Sequence, residues 1–355
     1  MNLKRSIRGR ATTHNPANRF ENLSLAQDPE FLEGQEENRD VGPMTRFFKE
    51  TARSIISHND SPDVGLAATV NPYRGCEHGC IYCYARPTHE YLGFSAGLDF
   101  ETKIVVKENA VQLLRQELSS KSWEPKVVGF SGVTDCYQPI ERRLKLTRQC
   151  LEIFVQFRNP VVIITKNHLV TRDIDVLKEL AVFQSVAVFI SVTTLDENLS
   201  RVMEPRASIP TRRLEAIREL ADAGIPTGVN VAPVVPGLTD HEMPAIIAAA
   251  VNAGAKFSGY VPLRLPFAVK DLFEEWLSRN FPDRKEKVLN RIRAIRGGKL
   301  NDPNFNSRME GKGIFAEQIA QLFAVACRKS GVNEGFVPLS TENFRRVCTG
   351  QLELF

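Results

Sequence analysis

The chain has 355 residues, 43% of them hydrophobic and 25% charged, with 46 Lys and Arg against 42 Asp and Glu for a formal net charge of +4. This balance excludes a disordered, collagenous or strongly acidic protein and supplies enough apolar material for a sizeable core. No apolar run reaches the roughly 18 residues that cross a bilayer, and the N-terminus MNLKRSIRGRATTHNP lacks the apolar stretch of a secretory signal. A cytoplasmic protein is therefore expected, built as about two domains or one α/β barrel.

Residues 1–65 read as a polar N-terminal arm. Lys4, Arg5, Arg8, Arg10 and Arg19 fall in its first 20 residues with no acid among them, which suits a solvated tail or a phosphate-contacting arm. Only 44–56 has the pattern of a helix. From Ala67 short β-branched runs alternate with stretches of helical period. Strands are expected over 67–70, 126–130, 161–165, 187–193, 227–232 and 256–261. Between them, Leu144, Thr147, Leu151 and Phe154 share one helix face, and a helix over 211–223 has Leu214, Ile217 and Leu220 inward. Pro210 stands at the start of that helix and Gly224 just past its end. Six βα units in succession imply a parallel sheet with helices outside, either open and doubly wound or an incomplete barrel. They define a core over 66–265, and 266–355 reads as a helical C-terminal extension. Within 279–299, eight basic residues stand against Asp283 and Glu286, a solvated helix face or a nucleic-acid surface.

Three of the 7 cysteines lie in one stretch of eight residues, Cys76, Cys80 and Cys83, spaced C-x3-C-x2-C directly after the first of these strands. In a reducing compartment such clustering points to metal chemistry. Gly75 and Gly79 allow the tight bends that turn three side chains to one side. A closed zinc site needs a fourth ligand, for which His78 and His89 are the nearby candidates. A [4Fe–4S] cluster on three cysteines instead leaves one iron open to an outside ligand.

The motif, with Tyr82 before its last cysteine, resembles the signature of the radical S-adenosylmethionine (radical SAM) superfamily. The resemblance covers about 66–262. It implies a partial (β/α)6 barrel, a [4Fe–4S] cluster whose open iron is chelated by SAM, a reductant such as flavodoxin or ferredoxin, and a 5′-deoxyadenosyl radical that abstracts hydrogen from the substrate. Sites in such barrels lie at the C-terminal strand ends. There the stretch Ser131-Gly132-Val133-Thr134-Asp135 offers Thr134 and Asp135 to the SAM amino group, and Lys166 faces its carboxylate. Ser191 and Thr193 suit the ribose hydroxyls, Glu204 and Arg206 follow, with Arg206 able to clamp a carboxylate, and Asn230 lies on the adenine-contacting strand. Each of these residues also suits a plain helix cap or loop.

Within the superfamily the sequence is most similar to spore photoproduct lyase and DNA-repair-photolyase-like relatives. Tyr82-Cys83-Tyr84 matches the tyrosine pair around the last cluster cysteine, as does the run from Glu204 to Ile217 continuing to Pro233. This implies DNA as substrate and Tyr84 as a radical-relay residue or a residue that only packs. The lyase's hydrogen-donor cysteine precedes its Asp, whereas here Gly132 and Val133 occupy that region and Cys136 follows Asp135. Cys136 is then a shifted hydrogen donor or a small packing residue. Cys150, Cys327 and Cys348 form no CxxC pair, which argues against auxiliary clusters. The last five residues, with Gln351, Leu352, Leu354 and Phe355 as anchors, resemble the motif by which bacterial DNA-acting proteins dock on the replication sliding clamp. Two alternatives to a DNA enzyme stand beside it: a radical SAM enzyme modifying RNA, protein or a small molecule, and a non-catalytic iron–sulfur or zinc protein that binds nucleic acid or senses redox state.

Overall fold

The computed structural model describes residues 7–20, 44–130, 132–334 and 338–347. The strands in chain order are β1 (Arg46–Glu50), β2 (Ile56–His58), β3 (Ala68–Val70), β4 (Tyr73–Arg74), β5 (Lys103–Lys107), β6 (Val128–Phe130), β7 (Val161–Thr165), β8 (Val186–Ser191), β9 (Thr227–Val234), β10 (Phe257–Pro262) and β11 (Asn333–Glu334). The main sheet has eight strands in the order β11-β10-β9-β8-β7-β6-β3-β2. The six expected from the sequence, β3 and β6 to β10, pair in parallel, each beside the one before it. A doubly wound sheet reverses strand order at a switch point. This one never does, so it winds in one direction as an incomplete (β/α)6 barrel. β2 lies antiparallel on β3 at one edge, and β11 lies parallel on β10 at the other.

Every residue of β8 is buried, as a central parallel strand covered on both faces requires. The helices Leu146–Phe157, Ile174–Val182, Pro210–Asp222 and Met243–Asn252 each turn one apolar stripe inward; Cys150, Leu151, Phe154 and Phe157 form one such stripe. Pro210 opens its helix, and Gly224 follows the end at φ +78°. Because the six strands run parallel, their C-terminal ends and the loops after them share one face.

The segment 44–56 is not a helix. It forms β1, which pairs in parallel with β5, and leads into β2. Phe47 and Phe48 therefore point to opposite sides, one under the Arg143 guanidinium and the other against the Phe94 ring. The free edge of β5 takes up the backbone hydrogen bonds that a helix would have made internally. The sequence reading also missed β5 itself, which with β1 and β4 makes a separate three-stranded sheet beside the cysteine loop.

Residues 7–20 of the arm are docked rather than solvated. Ala11 and Thr12 are buried, and their amides and the Thr12 hydroxyl donate to Glu101. Arg10 donates to the Glu101 carbonyl and Arg19 pairs with Glu90.

In the C-terminal extension the helices Val269–Asn280 and Lys285–Ile295 form a second apolar core, which also takes in Cys80, Ile81 and Tyr82. Much of the basic run is spoken for: Arg279 pairs with Glu275, Lys285 with Glu274 and Arg291 with Asp240. Arg296 is buried on the carbonyls of Pro262, Leu263, Ser307 and Arg308. Residues 338–347 pass under the opposite end of the barrel, tied to Gln184, Phe157 and Ser119. Among the described residues no helix is long and apolar enough to cross a membrane.

Candidate active site

The cysteine loop fills the mouth of the barrel between β3 and β5. Gly75 and Gly79 hold φ +77° and +68°. A Cβ on Gly79 would lie 2.8 Å from a Glu101 carboxylate oxygen, and one on Gly75 would lie 2.9 Å from the His89 ring. The loop is drawn into a coil by its own backbone, with the Gly79 amide on the Cys76 carbonyl and the Cys83 amide on that of Cys80. Arg86 supports it from behind. This wholly buried side chain donates to the carbonyls of Gly79, Cys80, Ala96 and Gly97 and to the Glu101 carboxylate at 2.7 Å. Glu101 thus joins the cysteine loop to the N-terminal arm.

From the front, the strand ends grip the same loop. After β6, the Thr134 hydroxyl donates to the Gly75 carbonyl at 2.6 Å. Asp135 accepts from the Thr165 hydroxyl at 2.7 Å, from the Lys166 amide at 2.8 Å and from His78 Nδ1 at 3.3 Å. Asn167 keeps its oxygen on the Leu169 amide, so its NH2 faces His78 Nε2 at 3.0 Å. That fixes the His78 proton on Nδ1, toward Asp135. Burial alone would raise the Asp135 pKa, but His78, the Lys166 amide and the Thr165 hydroxyl outweigh it and hold it down to about 2. Arg206 pairs at 3.0 Å with Glu77, which lies between the first two cysteines, and also donates to Thr45. Tyr82 donates to Glu204, which also accepts from Thr193 at 2.8 Å and is paired with the buried Arg213.

Cys76 and Cys80 are buried and Cys83 is half-buried. Burial pushes all three thiols up, and for Cys76 the neighbouring Asp135, Cys80 and Cys83 add to it. Three thiolates here need a strong positive charge among them, which a bound metal centre supplies by deprotonating its thiols. Among the described residues no three His, Cys, Asp or Glu side chains converge tightly enough for a single metal ion. His78 has both ring nitrogens engaged; His89 is packed between Phe94 and Phe100 with Nε2 on the Lys103 carbonyl, and its Nδ1, buried without a hydrogen-bond partner, joins no group of three donors among the described residues. The donor set is three sulfurs, which fits a [4Fe–4S] cluster with one iron open better than a closed zinc site.

Lys166, after β7, is half-buried over the Tyr82 ring with its ammonium 3.4 Å from the Ala232 carbonyl. Burial lowers its pKa, Arg213 adds to the effect, and Cys80, Asp135 and Cys83 oppose it. The ammonium lies 5.8 Å from the ring centroid of Tyr82, which stands between Cys80 and Cys83. Ser191 is buried at the end of β8 with its carbonyl on Arg213, and Asn230 on β9 lies against Gly259. Tyr84 is half exposed, with its hydroxyl on the Gly132 carbonyl and its pKa pushed up to about 12 by burial of the hydroxyl end and by Cys83. Cys136 is fully buried in the main apolar core, its carbonyl on Thr147, with Tyr73 and Tyr137 as neighbours; Val133, not Cys136, packs beside Cys76 and Cys83. Thus Thr134, Asp135, Arg206 and Tyr82 converge on the loop as its supports. Ser131, Cys348 and the pentapeptide with Gln351, Leu352, Leu354 and Phe355 lie outside the described residues. Arg86, Glu101, Glu77 and Arg213 were not foreseen; only the spacing of Arg86, three residues past the last cysteine, could have flagged any of them.

The comparisons agree with this geometry. A model of the Radical SAM superfamily matches residues 70–250. An uncharacterised protein of Mycobacterium tuberculosis is 36% identical over 259 residues, 72% of this chain and 73% of that protein. A radical SAM Nalpha-GlyT isomerase of Pseudomonas phage M6 is 30% identical over 202 residues, 56% of this chain and 40% of that protein. The solved structure of spore photoproduct lyase complexed with dinucleoside spore photoproduct shares the fold at a TM-score of 0.61, with 14% identity over 82% of each chain. From its three-cysteine loop at the mouth of a one-way barrel to the family match across that barrel, this chain belongs to the radical SAM superfamily of enzymes.

Proposed function

We propose that this protein is a radical SAM enzyme acting on DNA, with Cys76, Cys80 and Cys83 holding a [4Fe–4S] cluster and SAM as cosubstrate. When bound, the cluster and SAM supply a 5′-deoxyadenosyl radical that takes a hydrogen atom from the substrate. The chain's own residues hold and shield that chemistry. Lys166 presents a cation toward the SAM carboxylate, and Ser191 and Asn230 line the strand ends where adenosine would lie. Thr134, Asp135 and Arg206 keep the loop in shape from the front, so their contribution to SAM binding is positional. The reading rests on one observation: Cys76, Cys80 and Cys83 share one loop at the C-terminal mouth of a barrel, with no fourth sulfur beside them among the described residues and with the Lys166 ammonium over the Tyr82 ring of that loop. DNA is favoured because the fold is that of a lyase solved with a dinucleoside photoproduct. The reductant would be a small protein such as flavodoxin or ferredoxin. The C-terminal pentapeptide would dock on a sliding clamp, and a pull-down that loses the clamp when 351–355 are deleted tests this.

The main test uses anaerobically reconstituted protein with SAM and dithionite. The expected result is 5′-deoxyadenosine, abolished by Cys80→Ala. Repeating the reaction with uniformly deuterated DNA, RNA or protein identifies the substrate class, because deuterium appears in 5′-deoxyadenosine only with the true one. A preparation that holds zinc alone, or that forms no 5′-deoxyadenosine with any reductant, overturns the proposal.

A further inference from the structure

Among the described residues, Arg264 in the loop after β10 has no carboxylate on its guanidinium. Arg264 is half-buried between Leu263 and Leu265, and its guanidinium stands 5.6 Å from the centroid of the Tyr84 ring, next to the cysteine loop. Its Nε is buried without a hydrogen-bond partner, and Nη1 reaches only the Met309 sulfur at 3.3 Å. Nη2 has no hydrogen bond among the described residues. The carboxylate close by, Asp63, is already taken by both arms of Arg308, at 2.7 and 2.6 Å. Burial and the Arg308 charge disfavour the Arg264 cation, yet a guanidinium stays charged in proteins. A desolvated cation of this kind requires an anion to complete it.

What surrounds Arg264 indicates which anion. Guanidinium groups and exposed rings alternate along this rim. Arg308 lies 4.7 Å from the Phe305 ring, and Arg19 lies 3.6 Å from that of Phe267. Phe267 is 56% exposed and holds φ +51°, a backbone conformation that bulky side chains rarely adopt. Arg19 covers one face of the ring and the residue still stays more than half exposed. Arg308 and Arg19 are neutralised by Asp63 and Glu90, which leaves Arg264 as the cation for a phosphate beside exposed rings that offer flat faces to bases, the chemistry of a single nucleic-acid strand. A peptide carboxylate would use the cation but not the rings.

We infer that the β10 loop is the ledge on which the substrate strand docks, with Arg264 binding one phosphodiester beside Tyr84 and Phe267 stacking against a base. The inference rests on the nucleic-acid reading above and assigns it a place. Arg264 is then the positioning residue that sets which nucleotide lies over the cysteine loop, and the basic run of 279–299 is secondary.

The test measures fluorescence anisotropy of a labelled single-stranded oligonucleotide with the anaerobically reconstituted full chain. Arg264→Gln should weaken binding about tenfold at low salt and flatten the slope of log K against log salt by about 0.7, the loss of one phosphate contact on a single strand. Arg264→Lys should keep the slope and lose part of the affinity. Phe267→Ala should weaken binding without changing the slope. Arg284→Gln, an exposed residue of the basic run, should stay within twofold of wild type. A scan with one neutral methylphosphonate at a time should find a linkage that costs wild type about tenfold and Arg264→Gln nothing; this compares ligands on one protein and does not depend on how well a variant folds. If the oligonucleotide binds but Arg264→Gln behaves as wild type, or the methylphosphonate penalty is equal in both, the ledge is overturned and the DNA reading stands. If wild type binds no oligonucleotide at any salt, both fall.

Discussion

Arg86→Met should collapse the cysteine loop from behind. Arg86 donates five hydrogen bonds, four to the carbonyls of Gly79, Cys80, Ala96 and Gly97 and one to Glu101. Methionine is close in length and at home in a buried site, but it donates nothing. The substitution leaves the wholly buried Glu101 carboxylate without its cation. Removing one partner of a buried pair costs about 3–5 kcal/mol. The freed carbonyls push toward the upper end of that range, because water reaches them poorly. The Ala11 and Thr12 donors that remain on Glu101 pull the other way, so about 4 kcal/mol is expected. Adding Glu101→Gln removes the stranded charge and should restore about half of the loss. Urea unfolding of the metal-free chain, followed by far-UV circular dichroism, measures both values, and iron per chain after reconstitution should fall with Arg86→Met. A loss under about 1 kcal/mol, or a double variant less stable than the single, would refute the assignment of Arg86 as the loop's main support.

Gly79→Ala should lower reconstituted iron severely, because φ +68° and the Glu101 oxygen at 2.8 Å both oppose a Cβ; iron and sulfide assays at wild-type levels would contradict this. Tyr82→Phe removes one of the donors on the buried Glu204 while Thr193 and Arg213 remain, so a loss of about 1–2 kcal/mol in urea unfolding is expected. Burial pushes the His89 imidazole down to about 4, whereas in the unfolded chain it protonates near pH 6.5. Protons therefore favour the unfolded chain across that interval. Stability that is complete above about pH 6.5 should fall by up to about 3 kcal/mol as the pH drops to about 4. His89→Gln should lack this slope, and unfolding curves at pH 7 and pH 4.5 compare the two.

The barrel was legible because its strands carry their own signal. The β-branched run over 161–165 and the apolar one over 187–193 can only be buried parallel strands, and they appear as β7 and β8 within a residue or two. The segment 44–56 failed because it has no burial of its own to set a period; four of the five residues of β1 are exposed and it exists because β5 offers an edge. At the site, the cysteine spacing places three thiols on one loop, as the fold has them. The protein neighbours of the polar residues were not legible, because a polar side chain at a strand end can face a ligand or a neighbouring loop. Arg206, suited by its chemistry to a carboxylate, meets that of Glu77 in the folded chain. Glu101 was invisible for a related reason, since nothing local says that a charged residue will be sealed inside, and Arg86 is marked by its spacing from Cys83 alone.

The supports of the cysteine loop come from far apart in the chain: Thr12 acting through Glu101, Thr134 and Asp135 from β6, Arg206 from beyond β8. A nascent chain that has just made the three cysteines has the supports behind them close at hand, in Thr12, Arg86 and Glu101, but not yet those in front. The receptacle acquires its form only after more than a hundred further residues have been synthesised and folded. A chain stalled midway would carry its three thiols before the residues of the barrel that grip their loop have been made.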